Sequence, residues 1–453
     1  MQAGALETAA FKLTAAAARV PLAGADYPET EVWSYNGGLP GPEIRVRQGD
    51  RVAVDVTNRL SEPTTVHWHG IRIANAMDGV PGLTQAPIAP GERFHYAFDV
   101  PDAGTFWYHS HVNSSEQVGR GLSGPLIVEE HEAPEVDRDV TWVLDDWRLT
   151  AEAAIAGGFD HPMDMSHAGR LGNTVTVNGR VREEFAVRRG ERLRLRLINV
   201  ANARVFALNF QGHTPWIVAL DGQPVEPHPA EAGRVVLGPA MRADLVIDMT
   251  GAPGERFEIV DDFYARQRYR LIDLAYAAQP LREEALEAPP AALPANPLAE
   301  PDLTDAGRHR VVFTGGMMGG MAGGMTADGW LDARALFRKG KFWAVNEIVG
   351  EGGRLPPLFS LTEGRSYVFE LVNDSAWHHP IHLHGMSFRL LSRNGEPVWR
   401  QPWMDTVLLA PQEKAEVAFV ADNPGDWMFH CHIPAHMKGG MTAVIRVREK
   451  ERA

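Results

Sequence analysis

The 453-residue chain has a single cysteine, Cys431. No internal disulfide can form, so cross-links do not hold the fold and cysteine usage does not report the redox compartment. No apolar run approaches the ~20 residues that a membrane-spanning helix needs. Positive charge is in deficit: 44 Lys and Arg stand against 58 Asp and Glu, a net charge of -14. That balance favours neither nucleic acid nor an anionic membrane surface as a partner. The N-terminus lacks a basic segment, and its alanine-rich stretch from Leu13 to Val20 is short and broken by Arg19, so it does not read as a secretory signal. Long helical periodicity is scarce too.

In its place are short alternating runs punctuated by 44 Gly and 32 Pro, the pattern of antiparallel β-sandwiches. The length suits two to four domains, and a hydrophobic content of 44% is enough to build their cores. Internal repeats point to three. A polar turn with Gly49 leads into an alternating run ending at Asn58; Gly190 leads to Asn199 in the same way, and Gly364 to Asn373. We expect domains over residues 1–133, 134–283 and 309–453. A Pro-, Ala- and Glu-rich stretch over 284–308 reads as an extended linker on the surface.

Histidine is plentiful, with 18 in the chain. Ten fall into four clusters: His67 and His69; His109 and His111; His379, His382 and His384; and His430 and His432 with His436. Each cluster holds a His-x-His pair, whose rings share a face if the segment is extended. Cys431 lies between His430 and His432, and Met441 follows His436 by five residues. Two histidines and a cysteine with a weak axial methionine make a blue-copper electron-transfer set. On a strand, Cys431 points one way and its two neighbours the other, so one short backbone path can join an electron acceptor to a second metal centre. The segment from Gly104 to His111 parallels the segment from Gly425 to His432, with Ser110 standing where Cys431 stands. The first domain can therefore supply cluster ligands but no thiolate. The second has no His-x-His pair and reads as structural or as a substrate wall.

These residues resemble the multicopper oxidases, and the resemblance covers almost the whole chain. It implies three cupredoxin-like Greek-key domains and four copper ions. Carried onto this sequence, His379, Cys431 and His436 become the type 1 copper ligands, with Met441 axial. His67 and His382 become the type 2 ligands, and His69, His109, His111, His384, His430 and His432 hold the type 3 pair. The implied reaction takes single electrons from a small phenolic, aromatic or metal-ion donor and reduces dioxygen to water. Asp78 resembles the family's acidic residue near the type 2 copper, a proton donor; its other reading is an ordinary turn aspartate. Met437 stands where many bacterial relatives carry a glutamate. The resemblance also implies a periplasmic or secreted protein whose leader is absent from this chain, with cytoplasmic residence the alternative.

The donor class is less sharply written. Met317, Met318, Met321 and Met325 lie in a glycine-rich stretch, and His161, Met163, Met165 and His167 form a second soft patch. Thioethers suit Cu(I), so these residues could recruit a metal substrate. They could also form a flexible access loop or a plain linker. A laccase-like oxidase and a cuprous or ferrous metallo-oxidase are the two leading expectations. A cupredoxin-fold protein without chemistry is the third, and the complete ligand set argues against it.

Overall fold

Each of the three sequence repeats turns through a glycine with positive φ (Gly49 87°, Gly190 77° and Gly364 76°), a conformation that costs other residues. The strand that follows alternates: in Arg51–Asn58, Val52, Val54 and Val56 are buried. The closing asparagine is a buried clamp. Asn58 donates to the carbonyls of Glu62 and Ile88, Asn199 to those of Arg204 and Leu237, and Asn373 to those of Trp377 and Ala410. One side chain thus closes the same loop three times, and in the first and third copies that loop leads into a histidine strand.

The computed structural model describes residues 8–132, 134–284, 286, 288–350 and 356–450. Strand outweighs helix 47% to 7%, which bears out the all-β reading. Three successive two-sheet sandwiches have sheets of four and four, six and five, and seven and five strands. The antiparallel expectation needs one correction, because every sandwich also contains two parallel strand pairs. Thr8–Val20 runs parallel to Arg51–Asn58, Arg138–Trp147 to Arg192–Asn199, and Gly307–Gly315 to Ser366–Asp374. The second set is Ile44–Arg47 with Ser123–Glu129, Glu184–Val187 with Tyr269–Tyr276, and Phe359–Thr362 with Thr442–Arg448. Alternation along a strand reports its buried face but not its neighbour's direction, and the long crossovers that parallel pairing needs are present here.

Residues 291–302 have no regular secondary structure. Asn296 fastens this stretch down by bonding both backbone polar groups of Ala103 and the side chains of Gln48 and Gln223. No helix among the described residues is long and apolar enough to cross a membrane.

Candidate copper centres

Pairing register builds the site. In the first sandwich His67 lies opposite His109, and in the third His382 lies opposite His430, so each pair shares one face of its sheet. Ile381 lies opposite Cys431, which puts the thiol on the other face.

On that other face the Cys431 sulfur lies 3.5 Å from His379 Nδ1 and 3.6 Å from His436 Nδ1. All three side chains are buried, as is Met441. His436 Nε2 donates to the His167 carbonyl at 2.6 Å, which leaves Nδ1 as a lone pair. His379 Nε2 is engaged by the Ser375 hydroxyl at 2.8 Å. The two Nδ1 atoms face each other at 3.1 Å. Burial pushes the Cys431 thiol up and pushes His436 down to about 3.

The opposite face carries the histidine cluster. His67, His109 and His430 each donate Nδ1–H to a backbone carbonyl, from Asp78, Ser110 and Cys431 respectively. His382 Nδ1 does the same to the Asp405 carbonyl at 2.9 Å. His384 Nδ1 donates to the Asp78 carboxylate at 3.0 Å. With that proton fixed, the inward nitrogen of each ring is a lone pair. The Nε2 atoms of His67, His109, His382 and His432 have no protein partner, nor has Nδ1 of His69. The Nε2 atoms of His384 and His430 meet at 3.0 Å, lone pair against lone pair. Such a concentration of orphaned acceptors is costly unless a cation sits among them. Burial and the neighbouring rings push most of these histidines far down, His430 to about 3, so protons do not serve as the cations at neutral pH. Imidazole and thiolate donors of this kind fit copper.

His111 joins His384 and His430 in one metal-sized group. His432 packs its ring 4.9 Å from His69 and 5.1 Å from His109. All twelve residues that the sequence puts forward as ligands are buried, and they gather at these two places. Asp78 is fully buried, its carboxylate 3.2 Å from His67 Nδ1 and 3.0 Å from His384 Nδ1. It also ends the short turn Asn75–Met77, so the turn reading and the cluster reading describe one residue. Other histidines make other contacts: His95 pairs with Asp55, His213 with Tyr276, and the His378 ring packs on Phe263.

Sequence reasoning missed several partners. Asp405 accepts from His69 Nε2 at 3.1 Å and through its carbonyl from His382, yet it sits in no motif. Ser375 and the His167 carbonyl were equally invisible as histidine partners. The second sandwich does more than form a wall. Its short helix Pro162–Ser166 brings His167 onto His436, and Met317 N donates to the Ser166 carbonyl. The two soft patches therefore meet above the thiol site, with Met163, Met317 and Met318 exposed.

Known proteins resemble this chain over nearly its whole length. Family models described as multicopper oxidase match residues 17–133, 138–285 and 333–451. Multicopper oxidase MmcO of Mycobacterium tuberculosis is 31% identical over 96% of this chain and 86% of its own length. Laccase-1 of Botryotinia fuckeliana is 29% identical, over 90% of this chain and 77% of its own. The crystal structure of a multi-copper oxidase from Pseudomonas thermotolerans superposes with a TM-score of 0.85 at 37% identity, covering 98% of this chain and all of that one.

Proposed function

This chain belongs to the multicopper oxidase family, copper-dependent oxidoreductases with dioxygen as acceptor, and from that premise we propose a laccase-like reaction. Four one-electron oxidations of a phenolic, aromatic or metal-ion donor supply the four electrons that, with four protons, reduce one dioxygen to two waters. The observation that carries this reading is the pair of lone-pair cavities on opposite faces of one strand, joined through Cys431 and its neighbours His430 and His432.

His379, Cys431 and His436, with Met441 beside them, would hold one copper. His67 and His382 would hold a second, and His69, His109, His111, His384, His430 and His432 would hold two more. Copper bound there supplies one-electron acceptance at the thiolate site and multi-electron transfer to dioxygen at the cluster. The chain does the rest. Carbonyls and carboxylates fix each imidazole tautomer and orientation. The backbone of Cys431 links the two faces by the shortest covalent path. The carboxylate of Asp78, buried beside His67 and His384, stands where it can relay a proton to the cluster. His111 borders a cavity of about 870 Å³ shared with Ser114, Met428 and Met437, which supports dioxygen entry and water exit there. Met437 has no ionisable group and takes no part in proton transfer; the carboxylates beside the cluster are those of Asp78 and Asp405. We place the mature protein in the periplasm or outside the cell, following the family's usual habit.

A second donor reading has its own support. Met163, Met317 and Met318, with His161 and His167, form a soft surface over His436. That surface favours a cuprous or ferrous metallo-oxidase with a role in metal tolerance. Oxygen uptake by the copper-loaded enzyme on a phenol, on Cu(I) and on Fe(II), at equal enzyme concentration, decides. Turnover highest on the phenol supports the laccase-like reading, and turnover highest on a metal ion supports the other. No uptake on any donor, or a colourless copper-loaded protein, ends the oxidase reading.

A further inference from the structure

Arg242 is the first residue of the strand Arg242–Asp248 in the second sandwich, far in sequence from every proposed ligand. It is fully buried. A guanidinium has five N–H groups, and here each has an acceptor. Nε donates to the Thr105 carbonyl at 3.1 Å. Nη1 donates to the Ala240 carbonyl and to Asp405 Oδ1 at 3.2 and 2.9 Å. Nη2 donates to the Asp221 carbonyl and to Asp405 Oδ2 at 2.9 and 2.6 Å. Those acceptors belong to all three sandwiches: Thr105 to the first, Ala240 and Asp221 to the second, Asp405 to the third.

Asp405 is the hub on the receiving side. Its Oδ1 accepts from His69 Nε2, its carbonyl accepts from His382 Nδ1, and Thr406 Oγ1 donates to the same Oδ1. The carboxylate of Asp221 accepts from the backbone N–H groups of both Asp405 and Thr406, at 3.3 and 3.1 Å. The second sandwich thus grips this two-residue segment by side chain and backbone together. The segment in turn sets two stacked rings, His69 and His382, whose centroids are 3.8 Å apart and which come from different sandwiches. Gly70, next to His69, leaves the room. A Cβ there would meet Arg242 Nη2 at 2.3 Å and Asp405 Oδ2 at 2.7 Å.

We infer that Arg242, supported by Asp221, is a positioning residue for the cluster, through which the copper-free second sandwich fixes the orientation of His69 and His382. This rests on the ligand assignment proposed above. A planar, bidentate, five-donor group does the task, and lysine with three donors on a flexible stem cannot reproduce it. The arrangement also gives a domain without copper ligands a task at the cluster: it closes the interface whose two walls each supply half of the histidines.

The test uses full-length, copper-loaded protein and the variants Arg242→Met, Arg242→Lys and Asp221→Asn. Copper per chain, the blue absorption of the thiolate site and the paramagnetic signal of the copper on His67 and His382 are followed through a graded chelator challenge. Removal of a partner that orients a ligand weakens metal retention by on the order of 10–100-fold. Arg242→Met is expected to lose the cluster signal at a chelator concentration lower by that factor while the blue band stays at the parent's level. Arg242→Lys is expected to fall between the two, and Asp221→Asn to shift in the same direction by less. Asp221→Asn keeps the side-chain shape, so it reports even if Arg242→Met does not fold. Cluster retention like the parent's in the soluble variants overturns the inference. So does equal loss of blue band and cluster signal, which marks a merely structural role. A parent that shows neither signal overturns the ligand assignment itself, a different failure.

Discussion

At the scale of single residues, the chemistry turns on how a few protons are placed. Cys431 is buried with a thiol that burial keeps protonated in the metal-free chain, and its sulfur has two imidazole lone pairs within 3.6 Å. Cys431→Ser removes the soft donor and leaves every cluster histidine in place. We predict a folded protein without blue absorption and without donor oxidation that still holds cluster copper; an intense blue band in the copper-loaded variant would refute the assignment. Asp78 poses a different question, because its carboxylate accepts from His384 Nδ1. In Asp78→Asn the amide oxygen still accepts that bond, so copper content is expected to hold. The amide cannot carry the transferable proton, and turnover is predicted to fall by about 10²-fold or more. Copper analysis and steady-state oxygen uptake on the same preparation check this, and unchanged turnover returns Asp78 to a purely orienting role.

The strand is the next scale. Two faces, one residue apart, separate the thiol from the cluster without any other device. The first sandwich shows the same strand with Ser110 in place of the cysteine. Ser110 Oγ donates to Gln117 and points away from the cluster histidines on either side. The Met-bearing stretch over 315–325 is a different kind of element, docked by the Met317 backbone and by Trp377 Nε1 donating to the Met317 carbonyl. Replacing Met317, Met318, Met321 and Met325 together with Leu keeps the backbone contacts, the glycines and the apolar volume. If sulfur recruits Cu(I), cuprous oxidation loses efficiency, by roughly tenfold for each 1.4 kcal/mol of binding removed, while oxidation of a small phenol stays near the parent's rate. Parallel change on both donors, read as kcat/KM, would reject recruitment and favour an access lid.

For the whole molecule, the cluster is an interface property. Its walls come from the first and third sandwiches and its lock from the second. Many buried, neutral imidazoles are gathered there, with a consequence for the metal-free protein. His430 and His436 titrate near 3 when folded and near 6.5 when unfolded, because burial disfavours the charged ring. The unfolded chain therefore binds more protons between those values. Their contribution to stability is full above about pH 6.5 and is lost as pH falls toward 3. We predict that the melting temperature of the copper-free protein declines steadily from pH 7 to pH 4. A flat profile over that range would show that the rings are already solvated or protonated in the folded state.

The sequence by itself determined the all-β class, the threefold repeat and the gathering of histidines with one cysteine. It could do so because these depend on short-range periodicity and on residue types that few other chemistries require. Gly49, Gly190 and Gly364 marked the turns, and the His-x-His spacing marked shared faces. Other features had no local signature. Strand direction was one, since a parallel neighbour arrives from far along the chain. The roles of Asn58, Asn199 and Asn373 as buried clamps, rather than exposed turn residues, depended on carbonyls up to 38 residues away. Asp405, Arg242 and the His167 carbonyl entered the site only through packing. A hydrogen-bond partner for an imidazole needs an acceptor at the right point in space, and any carbonyl or carboxylate in the chain can supply it. Tertiary structure alone decided which one did, because the first and third sandwiches had to meet, against the second, before the lone pairs of the eight cluster histidines faced one another.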